Sequence, residues 1–183
     1  MHDRKRNLWA VGLVAALLGG AAVLTAAPKP SAAAEDPAPD RTAADEQAVR
    51  RVAEDVAAAW MNQDAKALAA HYAEDAEYIN IMGIVVDGPE AIRLRYAEVF
   101  TTLLRGSRSS FTIRRVRFPG PGVAMVDVNG IITDLKGPQP GIAVGPGGIV
   151  KTRVRHVLVK REGRWAILAT QNTQIAPQVR GQE

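Results

Sequence analysis

The segment from residue 149 to residue 172, IVKTRVRHVLVKREGRWAILATQN, decides the fold because it contains two long strands and the turn between them. Apolar and polar residues alternate on both sides of Glu162-Gly163, and a glycine-containing pair between two such runs is typical of a hairpin. We therefore predict antiparallel strands at 149–160 and 165–172. The same alternation upstream predicts strands at 111–118 and 123–132, which extend the hairpin into an antiparallel meander.

The region before Gly106 shows helical spacing instead of alternation, apart from one short strand pair. A capping box at Thr42-Ala43-Ala44-Asp45 predicts the start of the first helix, and the proline of Gly88-Pro89-Glu90 favours the start of the third. Three helices followed by four long strands indicate an α+β fold, with a curved antiparallel sheet wrapped around the three N-terminal helices and a cone whose open end can take a ligand. The predicted upstream elements are helices at 45–62 and from 89, a short helix that is capped by Asp64 and runs through Leu68 to Tyr72, and strands at 76–81 and 84–86.

The N-terminal segment has the order of residues found in export signals. Arg4, Lys5 and Arg6 precede an uncharged apolar run, and the triplet Ala32-Ala33-Ala34 offers the small residues that a signal peptidase requires. We predict a signal peptide over 1–34, with an uncleaved membrane anchor as the alternative. The expected location is therefore secreted or in the cell envelope, with membrane contact only through an uncleaved leader. The predicted domains are a flexible linker at 35–44, the folded domain at 45–175 and a tail at 176–183.

The charge distribution argues against a nucleic-acid partner. Of 23 basic and 19 acidic side chains, four basic and one acidic lie in residues 1–34, which leaves 19 and 18 for the remainder. A nucleic-acid binder needs its basic surplus on the folded domain, where it can neutralise phosphates. The chain also lacks cysteine, zinc-ligand spacing, a phosphate loop and a dinucleotide fingerprint, so neither a disulfide, a metal nor a nucleotide cofactor is predicted.

Three segments together resemble a known family. They are WMNQD at 60–64, YAEDAEYIN at 72–80 and GRWAI at 163–167, the last leading to Gln171-Asn172-Thr173. In this order they resemble the SnoaL-like, SgcJ/EcaC branch of the nuclear transport factor two-like superfamily, also called cystatin-like. The resemblance covers about residues 45–175 and implies a cone-shaped fold, commonly a homodimer through the sheet. It does not imply one activity, because the superfamily includes isomerases, cyclases, dehydratases and binding domains.

The ketosteroid isomerases of that superfamily supply a test of chemistry, position by position. Their catalytic base corresponds to Asn80, an amide that cannot abstract a proton, and their oxyanion tyrosine falls near Val56. Many relatives carry a histidine where this chain has Tyr96, which the resemblance makes a ligand-binding candidate. Steroid-isomerase chemistry at these positions is therefore not predicted.

Further ligand-binding candidates lie on two predicted strands. Alternation places Tyr78 and Asn80 on one face of the strand at 76–81, where a phenol and an amide bind either a ligand or neighbouring backbone. Gln171 and Asn172 end the last strand, where side-chain amides either close the rim of a pocket or terminate the sheet. Because adjacent residues face opposite sides, only one of these two amides is expected to face the ligand.

Two residues are candidates for acid or base catalysis. Asp127 shares a strand face with Asn129, and apolar surroundings would raise the pKa of its carboxyl. The alternatives are a salt bridge to Arg153 or Arg155, or simple solvent exposure. His156 is the one histidine on a predicted long strand, and its alternative role is that of a satisfied core residue. Asn129 is kept as a ligand-binding candidate beside Asp127.

The sequence supports three hypotheses of function. The first is an exported protein that binds a small, largely apolar molecule in the cone, without a cofactor and with acid/base chemistry of isomerase, cyclase or dehydratase type as an open possibility. The second is a non-catalytic dimeric binding or interaction module of the cell envelope. The third is an oxidoreductase, a label used loosely in the SgcJ/EcaC branch. Whether the protein is an enzyme is left open.

Overall fold

The computed structural model describes residues 43–135 and 140–177. The proposed signal peptide, most of the linker, Thr42 of the capping box and the end of the tail lie outside these residues. The helices are α1 (Ala43–Met61), α2 (Ala65–Ala69) and α3 (Pro89–Thr101). The strands are β1 (Tyr72–Ile79), β2 (Val85–Asp87), β3 (Arg108–Gly120), β4 (Val123–Thr133), β5 (Val150–Arg161) and β6 (Arg164–Gln174).

The six strands form one curved sheet in the order β2-β1-β6-β5-β4-β3. The meander β3-β4-β5-β6 is antiparallel, which confirms the strand pairing predicted from alternation. The first strand corrects the prediction of a wholly antiparallel sheet, because β1 runs parallel to β6 and pairs Tyr72 with Ile167. The sheet is therefore mixed, and β1 lies between β6 and the edge strand β2.

The helices cover one face of the sheet, which we call the inner face. On β4 the side chains of Ala124, Val126 and Val128 are buried there, each at most 3% exposed. The core continues through Val49 and Val56 of α1 to the strands that pack beneath it. Within the described residues no helix has both the length and the apolarity needed to cross a membrane.

The boundary between α2 and β1 differs from the predicted one. Asp64 caps α2, since its carboxylate accepts a hydrogen bond from the Ala67 amide at 2.9 Å. The helix ends at Ala69, and the Ile167 amide donates to the carbonyl of His71 at 2.8 Å. This bond brings Tyr72 into the sheet instead of the helix, because pairing with a distant strand overrides the local helical preference.

A glycine on β4 permits close packing of the inner face. Gly130 lies between Phe111 of β3 and Thr152 of β5 in the strand register. A methyl group placed on Gly130 would lie 2.5 Å from the Thr152 hydroxyl and 2.9 Å from the Phe111 ring, both closer than van der Waals contact. Glycine therefore lets the Phe111 ring lie directly over the backbone of β4.

Candidate ligand-binding chamber

The inner face encloses a chamber made of two adjoining spaces. Both are lined by Trp60, Tyr78, Tyr96, Ile132 and Asn172. One also reaches His156, and we call it the His156 space; the other also reaches Arg95, and we call it the Arg95 space. The cavity volume is about 30 Å³ for the His156 space and about 60 Å³ for the Arg95 space. The chamber therefore has room for a few waters.

Aromatic side chains from both helices and strands form the chamber wall. The Trp60 ring meets Tyr96, Phe100 and Phe111 edge-on at centroid distances of 5.3, 5.5 and 5.6 Å. Tyr78 stacks on Tyr96 at 5.1 Å. Tyr96 and Phe100 share one face of α3 because they are four residues apart. These ring contacts fix the wall and leave the phenol hydroxyls as its polar part.

All three tyrosines of the chain are buried, each no more than 6% exposed, and Tyr78 and Tyr96 line the chamber. The Tyr72 hydroxyl donates to Thr170 Oγ1 at 3.1 Å. Burial raises the pKa of Tyr96 well above its usual value, and the neighbouring phenols of Tyr72 and Tyr78 raise it further. Burial also raises the pKa of Tyr78. The three phenols are therefore protonated at neutral pH and act as neutral hydrogen-bonding groups.

His156 continues this polar network. Its Nδ1 lies 2.8 Å from Thr170 Oγ1, so Thr170 links the imidazole to the Tyr72 phenol. Burial lowers the pKa of His156 from 6.5 to about 4. The imidazole is consequently neutral at neutral pH, and it is a weak base.

Two polar atoms in the chamber wall lack a hydrogen-bond partner among the described residues: Asn172 Oδ1 and Arg95 Nε. The Asn172 amide interacts with the Tyr78 phenol and lowers its pKa, against the larger effect of burial. Arg95 donates from Nη1 to Glu98 Oε2 at 2.7 Å, and this bond does not involve Nε. A buried polar atom without a partner is unfavourable, so each is a point at which a ligand can bond.

The segment at 140–148 adds one wall of the Arg95 space. Ile142 lines the space, and Gln174 of β6 holds the neighbouring residue by accepting from the Ala143 amide at 3.0 Å and donating to the Ala143 carbonyl. The glycine- and proline-rich composition of residues 136–148 is typical of a long loop. Its described part contributes to the chamber through Ile142.

Among the predicted site residues, Tyr78, Tyr96, His156 and Asn172 lie together in the chamber wall. Asn80 also borders the Arg95 space, but its Oδ1 accepts from the amides of Met82 and Ile84, both at 2.9 Å. Its carbonyl oxygen therefore forms the turn after β1. This is the backbone alternative predicted for a buried amide, and it arises because β1 ends at Ile79.

Asp127, Asn129 and Gln171 lie on the opposite, outer face of the sheet. Asp127 accepts from Arg155 Nε at 2.6 Å and Arg155 Nη2 at 3.1 Å, in a pair facing away from the chamber. The hydrogen bonds from Arg155 lower the pKa of Asp127. The hypothesis of a raised pKa is wrong, and the alternative of a salt bridge to Arg155 is confirmed. Gln171 lines the same outer surface as this pair.

Sequence reasoning missed Thr170 and Arg95. Thr170 precedes Asn172 by two residues on β6 and so shares its face, and that parity was available in the sequence. Arg95 had no such signal, because an arginine on a helix is ordinarily solvent-exposed. No group of three or more histidine, aspartate or glutamate side chains within residues 43–135 and 140–177 could hold a metal ion.

Comparison with known proteins identifies the family. Residues 52–167 match the model of the SnoaL-like domain, and the chain belongs to this family. The family comprises isomerase-type, cyclase-type and binding proteins. This confirms the resemblance to SnoaL-like proteins of the nuclear transport factor two-like superfamily, whereas membership of the SgcJ/EcaC branch stays a prediction. No curated protein matches the chain.

Solved structures agree on the fold. A cystatin-like domain of unknown function from Nostoc punctiforme is 24% identical, with a TM-score of 0.64 over 74% of this chain and 80% of that one. An uncharacterized cystatin-like protein from Caulobacter vibrioides is 20% identical, with a TM-score of 0.62 over 72% and 90%. A ketosteroid isomerase-like protein from Erwinia carotovora atroseptica is 18% identical, with a TM-score of 0.58 over 72% and 96%. At these identities the likeness concerns the fold alone.

Proposed function

We propose that the protein binds a small, largely apolar molecule in the chamber, with Asn172 and the buried phenols orienting it. One observation carries the proposal: Asn172 Oδ1 is buried in an aromatic wall and has no hydrogen-bond partner among the described residues. An orphaned acceptor in a protein core costs free energy unless something else satisfies it. A ligand with one hydrogen-bond donor and an apolar body offers both the missing bond and the apolar contact.

Binding is better supported than catalysis. Asp127 lies outside the chamber, and the described residues that line the two spaces include no carboxylate. The remaining base is His156, whose pKa of about 4 is far from the value near neutrality that proton transfer favours. A cofactor-free isomerase or cyclase reaction would have to use this weak base. The oxidoreductase hypothesis has no residue in the chamber that favours it.

The experiment uses two adjacent residues of β6 that face opposite sides. Asn172 faces the chamber and Gln171 faces the outer surface, so Asn172→Leu and Gln171→Leu are matched variants. Native mass spectrometry of protein recovered from its own host should detect a retained small molecule in the wild type. Because one hydrogen bond is lost, we expect Asn172→Leu to reduce occupancy about tenfold at subsaturating ligand, whereas Gln171→Leu should retain it.

Two outcomes would contradict the proposal. A wild-type protein without retained mass, in which added small molecules also leave no complex, would favour the alternative of an interaction module. Equal loss of ligand in the two variants would place the binding site elsewhere than the chamber.

Export and dimerisation form part of the same proposal. The basic, apolar and small-residue order of residues 1–34 supports an extracytoplasmic location. The expectation of a homodimer comes from the resemblance to the nuclear transport factor two-like superfamily, in which dimerisation through the sheet is common. The same mass spectra report the subunit count and the cleavage site of the leader. A monomer that begins at Met1 would overturn both expectations.

A further inference from the structure

The geometry points to a carboxylic acid as the ligand: we propose that Arg95 binds the carboxylate of a small apolar acid whose hydroxyl group donates to Asn172. This inference rests on the proposed function, because it names the chemical class of the molecule that the chamber would hold. It adds a residue, Arg95, that the sequence did not indicate.

Arg95 is the charged residue among the described residues that line the two spaces. Its side chain is 21% exposed, while Glu98, with which it pairs, is 62% exposed. The glutamate therefore neutralises the guanidinium from the solvent side through Nη1. Nε is buried without a partner among the described residues, and the Arg95 side chain lines the Arg95 space.

The surroundings of Arg95 supply no competing anion inside the chamber. The Tyr72, Tyr78 and Tyr96 phenols are neutral because burial raises their pKa values. His156 is also neutral because burial lowers its pKa to about 4. The electrostatic influence of Arg95 reaches the Tyr78 phenol, and the Asn172 amide contacts the same phenol. Arg95 has an unpaired donor and Asn172 has an unpaired acceptor among the described residues, and both side chains act on the Tyr78 phenol.

This pairing selects a class of molecule. An N–H of a guanidinium bonds most strongly to a negatively charged oxygen, so Nε favours a carboxylate over a neutral carbonyl. Asn172 Oδ1 repels an anion and requires a donor, which a hydroxyl group provides. The wall between them is aromatic, and it accepts an apolar body. A hydroxylated apolar acid satisfies all three conditions.

The test compares each of the three hydroxybenzoate isomers with the corresponding hydroxybenzamide, which has the same ring and hydroxyl group but no charge. Binding to the full-length protein is followed by the indole N–H resonance of Trp60, which lines both spaces. Trp165 serves as an internal reference, because its indole donates to Asp45 Oδ1 at 2.9 Å outside the chamber lining. We expect at least one acid to bind about tenfold more tightly than its amide.

The variants separate charge in the chamber from charge on the helix. Arg95→Gln should abolish the preference for the acid, and Arg95→Lys, which keeps the charge but loses Nε, should reduce it. Arg93→Gln is the matched control, because Arg93 forms the analogous ion pair with Glu90 on the same helix at 2.7 Å without lining the chamber. It should keep the preference. Thermal unfolding of each variant verifies that it is folded.

The failure of this inference can be distinguished from failure of the proposed function. Amides that bind as tightly as acids, or a preference that survives Arg95→Gln, would overturn the role of Arg95 while binding in the chamber stands. No shift of Trp60 with any probe would overturn the proposed ligand class. The proposed function would fall with it only if the wild type also lacks a retained molecule.

Discussion

Two neighbouring polar residues show how differently the two faces of the sheet treat burial. Asp127 on β4 is 3% exposed, and His156 on β5 is 5% exposed. In the strand register Asp127 lies opposite Arg155, and His156 lies opposite Val126. On the outer face the Arg155 guanidinium keeps Asp127 charged by lowering its pKa. On the inner face no countercharge meets His156, and burial keeps it neutral.

The difference teaches that burial alone does not mark a functional group in this fold. A buried charge with an ion partner is a structural element of the outer surface, whereas the inner face carries neutral polar groups in an apolar wall. Chamber chemistry in this protein is therefore the chemistry of hydrogen bonds, with one cation, Arg95, at its border.

The largest expected effect tests how tightly the inner face is packed. Gly130→Ala would place a methyl group 2.5 Å from the Thr152 hydroxyl and 2.9 Å from Phe111. Because overpacking strains both neighbours, we expect it to lower the free energy of unfolding by about 2–3 kcal/mol. Urea denaturation measures this change, with Gly120→Ala as the control, since nothing lies within 4 Å of its added methyl group. Equal stabilities of the two variants would show that the inner face is loosely packed.

The next effect tests the neutral state of His156. Its pKa falls from 6.5 in the unfolded chain to about 4 in the native protein, so between these values the unfolded state binds a proton that the native state does not. Stability should therefore fall as the pH decreases, by about 2 kcal/mol between pH 7 and about pH 4.5. His156→Gln should remove this part of the pH dependence, whereas His71→Gln should keep it. Urea denaturation at both pH values measures the free energy of unfolding. If His156→Gln kept the pH dependence of the wild type, the result would contradict a neutral buried imidazole.

The smallest effect concerns the outer ion pair. Asp127→Asn should lower the free energy of unfolding by about 1 kcal/mol, because Arg155 is half exposed and solvent weakens the pair. Since the native pKa of Asp127 lies below the ordinary 3.8, this difference should be constant well above pH 3.8 and disappear as the pH falls through the native value. Asp134→Asn, at the more exposed pair with Arg108, should cost less. Thermal unfolding as a function of pH measures the difference in stability between the wild type and Asp127→Asn. If this difference persisted in acid, Asp127 would have a larger role than its ion pair with Arg155.

The sequence predicted the parts of the fold that local patterns encode. Alternation identified the meander and the face of His156, and helical spacing identified α1 and α3. The parallel pairing of β1 with β6 could not be predicted, because pairing between distant segments leaves no periodic trace in either of them.

The candidate site was predictable where strand parity applies. Alternation placed His156 on a strand face with apolar neighbours, and it required that only one of Gln171 and Asn172 face the ligand without saying which. In the structure Asn172 faces the chamber and Gln171 does not. Asn80 borders the Arg95 space beside Tyr78, but the sequence left open whether its amide binds a ligand or backbone, because the end of β1 at Ile79 was not evident from alternation. Arg95 was missed because the orientation of a charged helical side chain depends on packing that sequence spacing does not specify.

The parallel contact between β1 and β6 has a consequence for how the chain folds. Tyr72 pairs with Ile167, so the two strands meet only after nearly all of the domain between them has been synthesised. Until then β1 has only the three-residue strand β2 beside it. Such a long-range contact carries a large loop-closure entropy and belongs late in folding. The strand β6 therefore completes the sheet, so the domain assembles only after its C-terminal strand is available.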